Sequence, residues 1–167
     1  MKIEVGFSIP PWEMPSVERS RMRTMAAILR DPNPVHWDPN LVDSLPFEVG
    51  KKTINQGPLG LSYMINMLHD WAGPGCVKRI FMTFPHIVLS EDRVIAKGRV
   101  TQIDGPDIQC DIWLERGEKS YLLGTLRLME RESSNFNHRL FLSLFSLRAV
   151  CTIVFLLRLE SSLAYSS

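Results

Sequence analysis

Cysteine is scarce and unpaired in this sequence: Cys76, Cys110 and Cys151 are its three cysteines, with no CxxC pair and no Cys/His spacing that suits zinc. A disulfide-stapled or zinc-clasped domain is therefore excluded, no metal is expected, and a reduced, cytoplasmic setting is the natural one. Charge of one sign is lacking too. The 19 Lys and Arg residues are balanced by 18 Asp and Glu residues and are scattered along the chain, so no nucleic-acid partner is expected. There is no GxGxxG loop and no P-loop, which removes the usual grounds for a nucleotide or dinucleotide cofactor. The first fifteen residues have no continuous apolar stretch and no small-residue cleavage site, so secretion is not expected. At 167 residues the chain fits one ordinary domain with a core of its own.

The pattern of apolar residues gives the order of elements. Lys2 to Ile9 alternates loosely and predicts an opening strand that ends at Pro10-Pro11, because proline cannot donate to a ladder. A helix with Ser16 as N-cap follows, with Met22, Met25, Ala26 and Leu29 at helical spacing up to Arg30. Asp31-Pro32-Asn33-Pro34 must stop it. Asn40 to Asn55 reads as an irregular excursion with at most short helical turns. Leu59 to Trp71 is apolar around most of its helical circumference and predicts a buried helix, with Pro58 in its first turn and Gly73-Pro74-Gly75 at its end. Four strand-like runs come next: Val77 to Phe84, Arg93 to Ile103, Ile108 to Glu115, and Tyr121 to Met129. Turn signals at Asp104-Gly105-Pro106-Asp107 and Arg116-Gly117-Glu118-Lys119 make the last three an antiparallel meander. The predicted class is α+β, a curled sheet around one long helix.

The strongest chemical signal is Asp31-Pro32-Asn33-Pro34-Val35-His36-Trp37-Asp38, where a proline turn brings a carboxylate and an imidazole close together in sequence. On its own, Asp-Pro-Asn-Pro is only a turn. With these residues the sequence resembles the MaoC-like hydratases, also called R-specific or type 2 enoyl-CoA hydratases, whose signature D-x-N-P-x-H-x-D is complete here. The likeness continues through Ile54-Asn55-Gln56-Gly57, the apolar helix after it, and the run from Phe84-Pro85 to Val100. It implies a hot-dog fold in roughly the first 130 residues, a usual domain size. It also implies reversible addition of water to a trans-2-enoyl-CoA, without metal or redox cofactor.

The resemblance assigns the roles. Asp31 and His36 would hold and activate the water, a task that suits groups tunable toward neutral pH. The backbone N–H of Gly57, at the start of the buried helix, would meet the thioester oxygen. Asn33 would brace the turn, Gln56 would lie beside the acyl chain, and Ser62 would face the pocket. The chain departs from the common pattern at Leu45-Pro46-Phe47, where Gly-Phe is frequent, and at Glu91-Asp92, where Gly-Asp is frequent. Asp70-Trp71-Ala72-Gly73-Pro74 and Val77-Lys78-Arg79-Ile80 resemble single-domain MaoC-like subunits of steroid side-chain hydratases, which implies a bulky acyl group. The family pairs two subunits by joining their sheets edge to edge, so a homodimer or a heteromer with another hot-dog chain is expected.

Blander assignments cover other residues. Asp38 is expected to cap a turn, His69, His86 and His138 to be solvated or core residues, and Met64 and Met67 to fill core gaps. Lys78 and Arg79 could meet CoA phosphates, but a charge pair at a strand start is more often solvated. Two other functions fit the same fold: an acyl-CoA thioesterase, and a non-catalytic subunit that completes a partner's pocket. The helix offers only Asn66 and Asp70 where a thioesterase would place a carboxylate, and the intact Asp31/His36 pair argues against a passive subunit.

The domain is expected to span 1–131, with 132–167 as a separate apolar extension. Leu140 to Leu157 is almost wholly apolar but interrupted by Arg148, whose insertion costs ~2.5–3.5 kcal/mol. Three readings stay open for it: a membrane tail, an extra buried or interfacial helix, or a stretch outside the folding unit.

Overall fold

The computed structural model describes residues 3–117 and 119–129. The expected boundary at 131 and the apolar run that follows lie outside the described residues, as do His138 and Cys151. Among the described residues no helix is long and apolar enough to cross a membrane.

The elements are β1 (Ser8–Met14), α1 (Arg19–Leu29), a 3-10 turn (Pro34–His36), α2 (Pro39–Asp43), α3 (Gly57–Ala72), β2 (Val77–Thr83), β3 (Val94–Asp104), β4 (Asp107–Arg116) and β5 (Lys119–Met129). The strands form one antiparallel sheet in the order β1-β3-β4-β5-β2, so β3, β4 and β5 make the expected meander. Gly105, at φ 55°, turns β3 into β4 between the paired Asp104 and Asp107. Burial alternates along both strands. Val94, Ala96 and Val100 of β3 and Ile108, Cys110, Ile112 and Leu114 of β4 face inward, as a half-buried sheet requires.

Helix α3 packs against that face, touching β1, β3 and β4. Nine of its residues, including Leu61, Tyr63, Met64, Met67 and Leu68, are buried, so the methionines do pack in the core. Tyr63 stacks on Trp12 of β1 with ring centroids 5.8 Å apart. Pro58 lies in the first turn of α3, and Gly73, at φ 84°, ends it with its N–H on the His69 carbonyl. An antiparallel sheet around a long helix is the hot-dog fold.

Two expectations need correction. The first strand does not cover Lys2 to Ile9 and end at Pro10-Pro11: it begins at Ser8 and runs through both prolines. It can do so because β1 is an edge strand whose register against β3 shifts between Ile9 and Trp12, so the missing N–H groups fall at an irregularity. The helix after it is capped by Glu18, without a side-chain hydrogen bond, and not by Ser16. Val17, fully buried, exchanges backbone hydrogen bonds with the turn before β3: its N–H donates to Asp92 O and its carbonyl accepts from Glu91 N–H, both at 2.9 Å. That extended pairing delays the helix.

Candidate active site

The end of α1 aims Asp31. Arg30 adopts the left-handed conformation at φ 54°, and the N–H groups of Arg30 and Asp31 fold back onto the Ala27 and Ala26 carbonyls. Pro32 and Pro34 then limit the backbone, and the Asn33 side chain caps the 3-10 turn by accepting from Val35 N–H at 3.3 Å. Asp31 Oδ1 accepts from Asn33 N–H at 3.0 Å, which leaves Oδ2 to point elsewhere. Asp38 caps α2 through Asn40 and Leu41 N–H, as expected.

Oδ2 of Asp31 lies 3.3 Å from Nε2 of His36, with the two side chains 29% and 14% exposed. The pair is therefore sheltered yet reachable. Nδ1 of His36 lies 2.6 Å from the Ile54 carbonyl oxygen. A carbonyl can only accept, so Nδ1 carries the proton and donates, and in the neutral ring Nε2 presents a lone pair toward Asp31.

Ile54 is fixed by a short strip that has no counterpart in the sequence pattern. Its N–H donates to Val35 O at 2.9 Å, it forms an antiparallel bridge with Leu89, and Asn55 N–H donates to Val88 O at 2.8 Å. Thr53 pairs with Ser90 in both directions: its N–H donates to Ser90 Oγ at 3.1 Å, and its carbonyl accepts from Ser90 N–H at 2.8 Å. Asp92, 8% exposed, anchors the turn that carries Leu89 and Ser90. Its Oδ2 accepts from Leu89 N–H at 2.9 Å and from Arg116 at 2.5 Å. Thr53, Ser90, Asp92 and Arg116 are supporting residues that sequence reasoning missed.

Gln56 and Gly57 follow directly from the same strip, and Ser62 lies further along α3. Gly57 opens α3, where a first-turn N–H has no partner within the helix and the dipole is positive. A Cβ built on Gly57 would lie 2.7 Å from Cε1 of Phe84, so the ring rests against this glycine. Gln56 is buried; its Nε2 donates to Met22 O at 2.8 Å, tying α1 to the start of α3, and its Oε1 has no hydrogen-bond partner among the described residues. Ser62 is buried one turn further along, with its hydroxyl donating to Leu59 O at 2.6 Å. The structure thus brings Asp31, Asn33 and His36 into one hydrogen-bonded turn, against the strip that leads into Gln56 and Gly57.

Outside this cluster, Lys78 pairs with Asp107 at 2.5 Å, His69 is partly buried at the end of α3, and His86 is exposed. No group of metal-ligating residues occurs among the described residues.

No family model matches the chain, and no curated protein does. Solved structures do. The ChsH1-ChsH2 complex from Mycobacterium tuberculosis superposes with a TM-score of 0.67 at 20% identity, over 78% of this chain and 100% of that one. An (R)-hydratase from A. caviae involved in PHA biosynthesis gives 0.70 at 22% identity, over 77% and 98%. A MaoC-like dehydratase from Rhodospirillum rubrum gives 0.62 at 14% identity, over 78% and 96%. The five-stranded sheet, the helix it wraps and these neighbours together place the chain in the hot-dog fold shared by MaoC-like dehydratases and R-hydratases.

Proposed function

We propose that the protein is a hydro-lyase that reversibly adds water to a trans-2-enoyl-CoA, giving a 3-hydroxyacyl-CoA. The observation that carries this reading is the convergence of two acceptors, Asp31 Oδ2 and the Nε2 lone pair of His36, 3.3 Å apart, with the imidazole held by Ile54 O. A water that donates one hydrogen to each acceptor has its own lone pair free to attack C3. As the C3–O bond forms, a proton passes from the water to the pair, and the pair gives a proton to C2, so OH and H add across the double bond and the pair is restored. Negative charge builds on the thioester oxygen, and the Gly57 N–H with the α3 dipole is assigned to meet it. The addition is redox-neutral, so no redox cofactor is invoked.

Asn33 acts in this scheme as the brace of the turn, while Gln56 and Ser62 are assigned to the acyl side of the site. The catalytic unit is 1–131. A cytoplasmic setting suits a CoA thioester and the free thiol of Cys110. The two sheet edges, β1 and β2, make a second hot-dog chain a natural partner, either a copy or a different subunit. Heteromeric neighbours such as ChsH1-ChsH2 support the latter. A bulky acyl group is favoured by the resemblance of Asp70–Pro74 and Val77–Ile80 to steroid side-chain hydratase subunits. The test is a panel of 2-enoyl-CoA thioesters from short linear to polycyclic, followed by loss of the conjugated-thioester absorbance. Turnover of at least one supports the assignment. A folded protein inert on all of them, alone and with a hot-dog partner, overturns it.

A further inference from the structure

The segment from Phe84 to Leu89 runs antiparallel beside the strip from Ile54 to Gly57. Leu89 bridges Ile54, Val88 O accepts from Asn55 N–H at 2.8 Å, and the Phe84 ring lies against Gly57. One end of this wall therefore adjoins the carbonyl that holds His36, and the other adjoins the first N–H of α3. The wall is apolar where it faces water: Phe84 is 53% exposed and Ile87 is 41% exposed. An aromatic ring left half in water beside a polar site is surface that an apolar ligand covers favourably. Pro85 fixes the backbone directly after the ring, so the ring is held against Gly57 and not on a freely moving loop.

From this geometry we infer that Phe84 is a specificity-determining residue, the apolar wall against which the acyl body of the substrate packs as its thioester oxygen meets the Gly57 N–H. The inference rests on the hydratase reading of the site and adds to it a residue that selects for acyl size. The ring touches no reacting atom and moves no proton. It contributes contact area in proportion to the apolar surface that the acyl group presents, so a bulky acyl group depends on it and a four-carbon one scarcely does.

The experiment compares wild type, Phe84→Ala and Phe84→Leu on a short linear and a bulky 2-enoyl-CoA. Phe84→Ala is expected to lower kcat/KM for the bulky substrate by about tenfold or more, while the short substrate changes less than about threefold. Phe84→Leu should restore most of the loss. Binding of the saturated CoA thioesters of the same two acyl groups, measured by calorimetry, gives a readout without turnover and should follow the same order. An equal loss on both substrates, no loss on either, or a change of oligomeric mass in Phe84→Ala overturns the assignment and makes the ring a scaffold or interface residue. Failure of the hydratase reading looks different: wild type would turn over neither substrate, and the calorimetric comparison would still decide the role of Phe84.

Discussion

Arg116 and Asp92 offer the most direct way to ask whether the site depends on its remote support. Asp92 is 7% exposed at the side chain, and its carboxylate is met by Arg116 and by Leu89 N–H. Replacing Arg116 with Met leaves a buried negative charge with one remaining N–H donor. Breaking a fully buried pair in this way costs ~3–5 kcal/mol, and losing one hydrogen bond to a charged group costs ~1.5–3 kcal/mol. Arg116 itself is 35% exposed, so water can reach the carboxylate in the variant and the lower figure applies. A loss of ~2 kcal/mol is expected, read from urea unfolding at unchanged m-value. Adding Asp92→Asn removes the stranded charge and should recover about half of it. Because Asp92 steadies the turn that carries Leu89 and Ser90, and that turn holds Ile54, Arg116→Met should also lower kcat/KM. A cost below ~1 kcal/mol for Arg116→Met would refute the reasoning, since an isolated surface pair gives about 0.2–1 kcal/mol.

Two further predictions concern stability. Glu91 sits at φ 70°, a left-handed conformation that costs an ordinary residue ~1–2 kcal/mol, and its ion pair with Arg19 at 3.2 Å is exposed and weak. Glu91→Gly should therefore stabilise the fold by ~0.5–1 kcal/mol in the same denaturation assay, after allowing for the extra backbone entropy of glycine; a destabilised variant contradicts this. Burial raises the Tyr63 hydroxyl and pushes the Cys110 thiol up to about 12, Cys110 with added contributions from Asp111 and Cys76. Both groups ionise in the unfolded chain near their ordinary values of 10.0 and 9.0, where the folded protein keeps its protons. Their contribution is whole below pH ~9 and is lost as pH rises above it, so the thermal midpoint should fall on the alkaline side, and less steeply in Cys110→Ala.

Much of this was legible in the sequence because the signals are local. The meander β3 to β5 is bounded by Gly and Asp turns, and its predicted limits differ from the observed ones by no more than two residues. The buried helix declared itself by apolar residues around its circumference and by Pro58 and Gly73 at its ends. The Asp31–His36 turn was readable because proline and Asn33 act within a few residues of one another. Less was readable where distant backbone decides. The strip at Thr53 to Asn55 pairs with Val88 to Ser90 across more than thirty residues and has no periodicity of its own, so the support for His36 could not be seen in advance. The same holds for the pairing that keeps Val17 extended and shifts the cap of α1 to Glu18, and for the edge position that lets β1 absorb two prolines. Glu91, where Gly-Asp is frequent in the family that the sequence resembles, occupies a left-handed position, which gives that departure a physical meaning.

The central claim is that Asp31 and His36 act together on one water. The measurement that tests it most directly is hydration of the best enoyl-CoA of the panel by wild type, Asp31→Asn, His36→Ala and the double variant, each checked for folding. Each single variant is expected to lose about a hundredfold or more in kcat, with the double variant little worse than either, because removing one partner already disables the pair. Folded single variants that keep most of the wild-type rate would contradict the account.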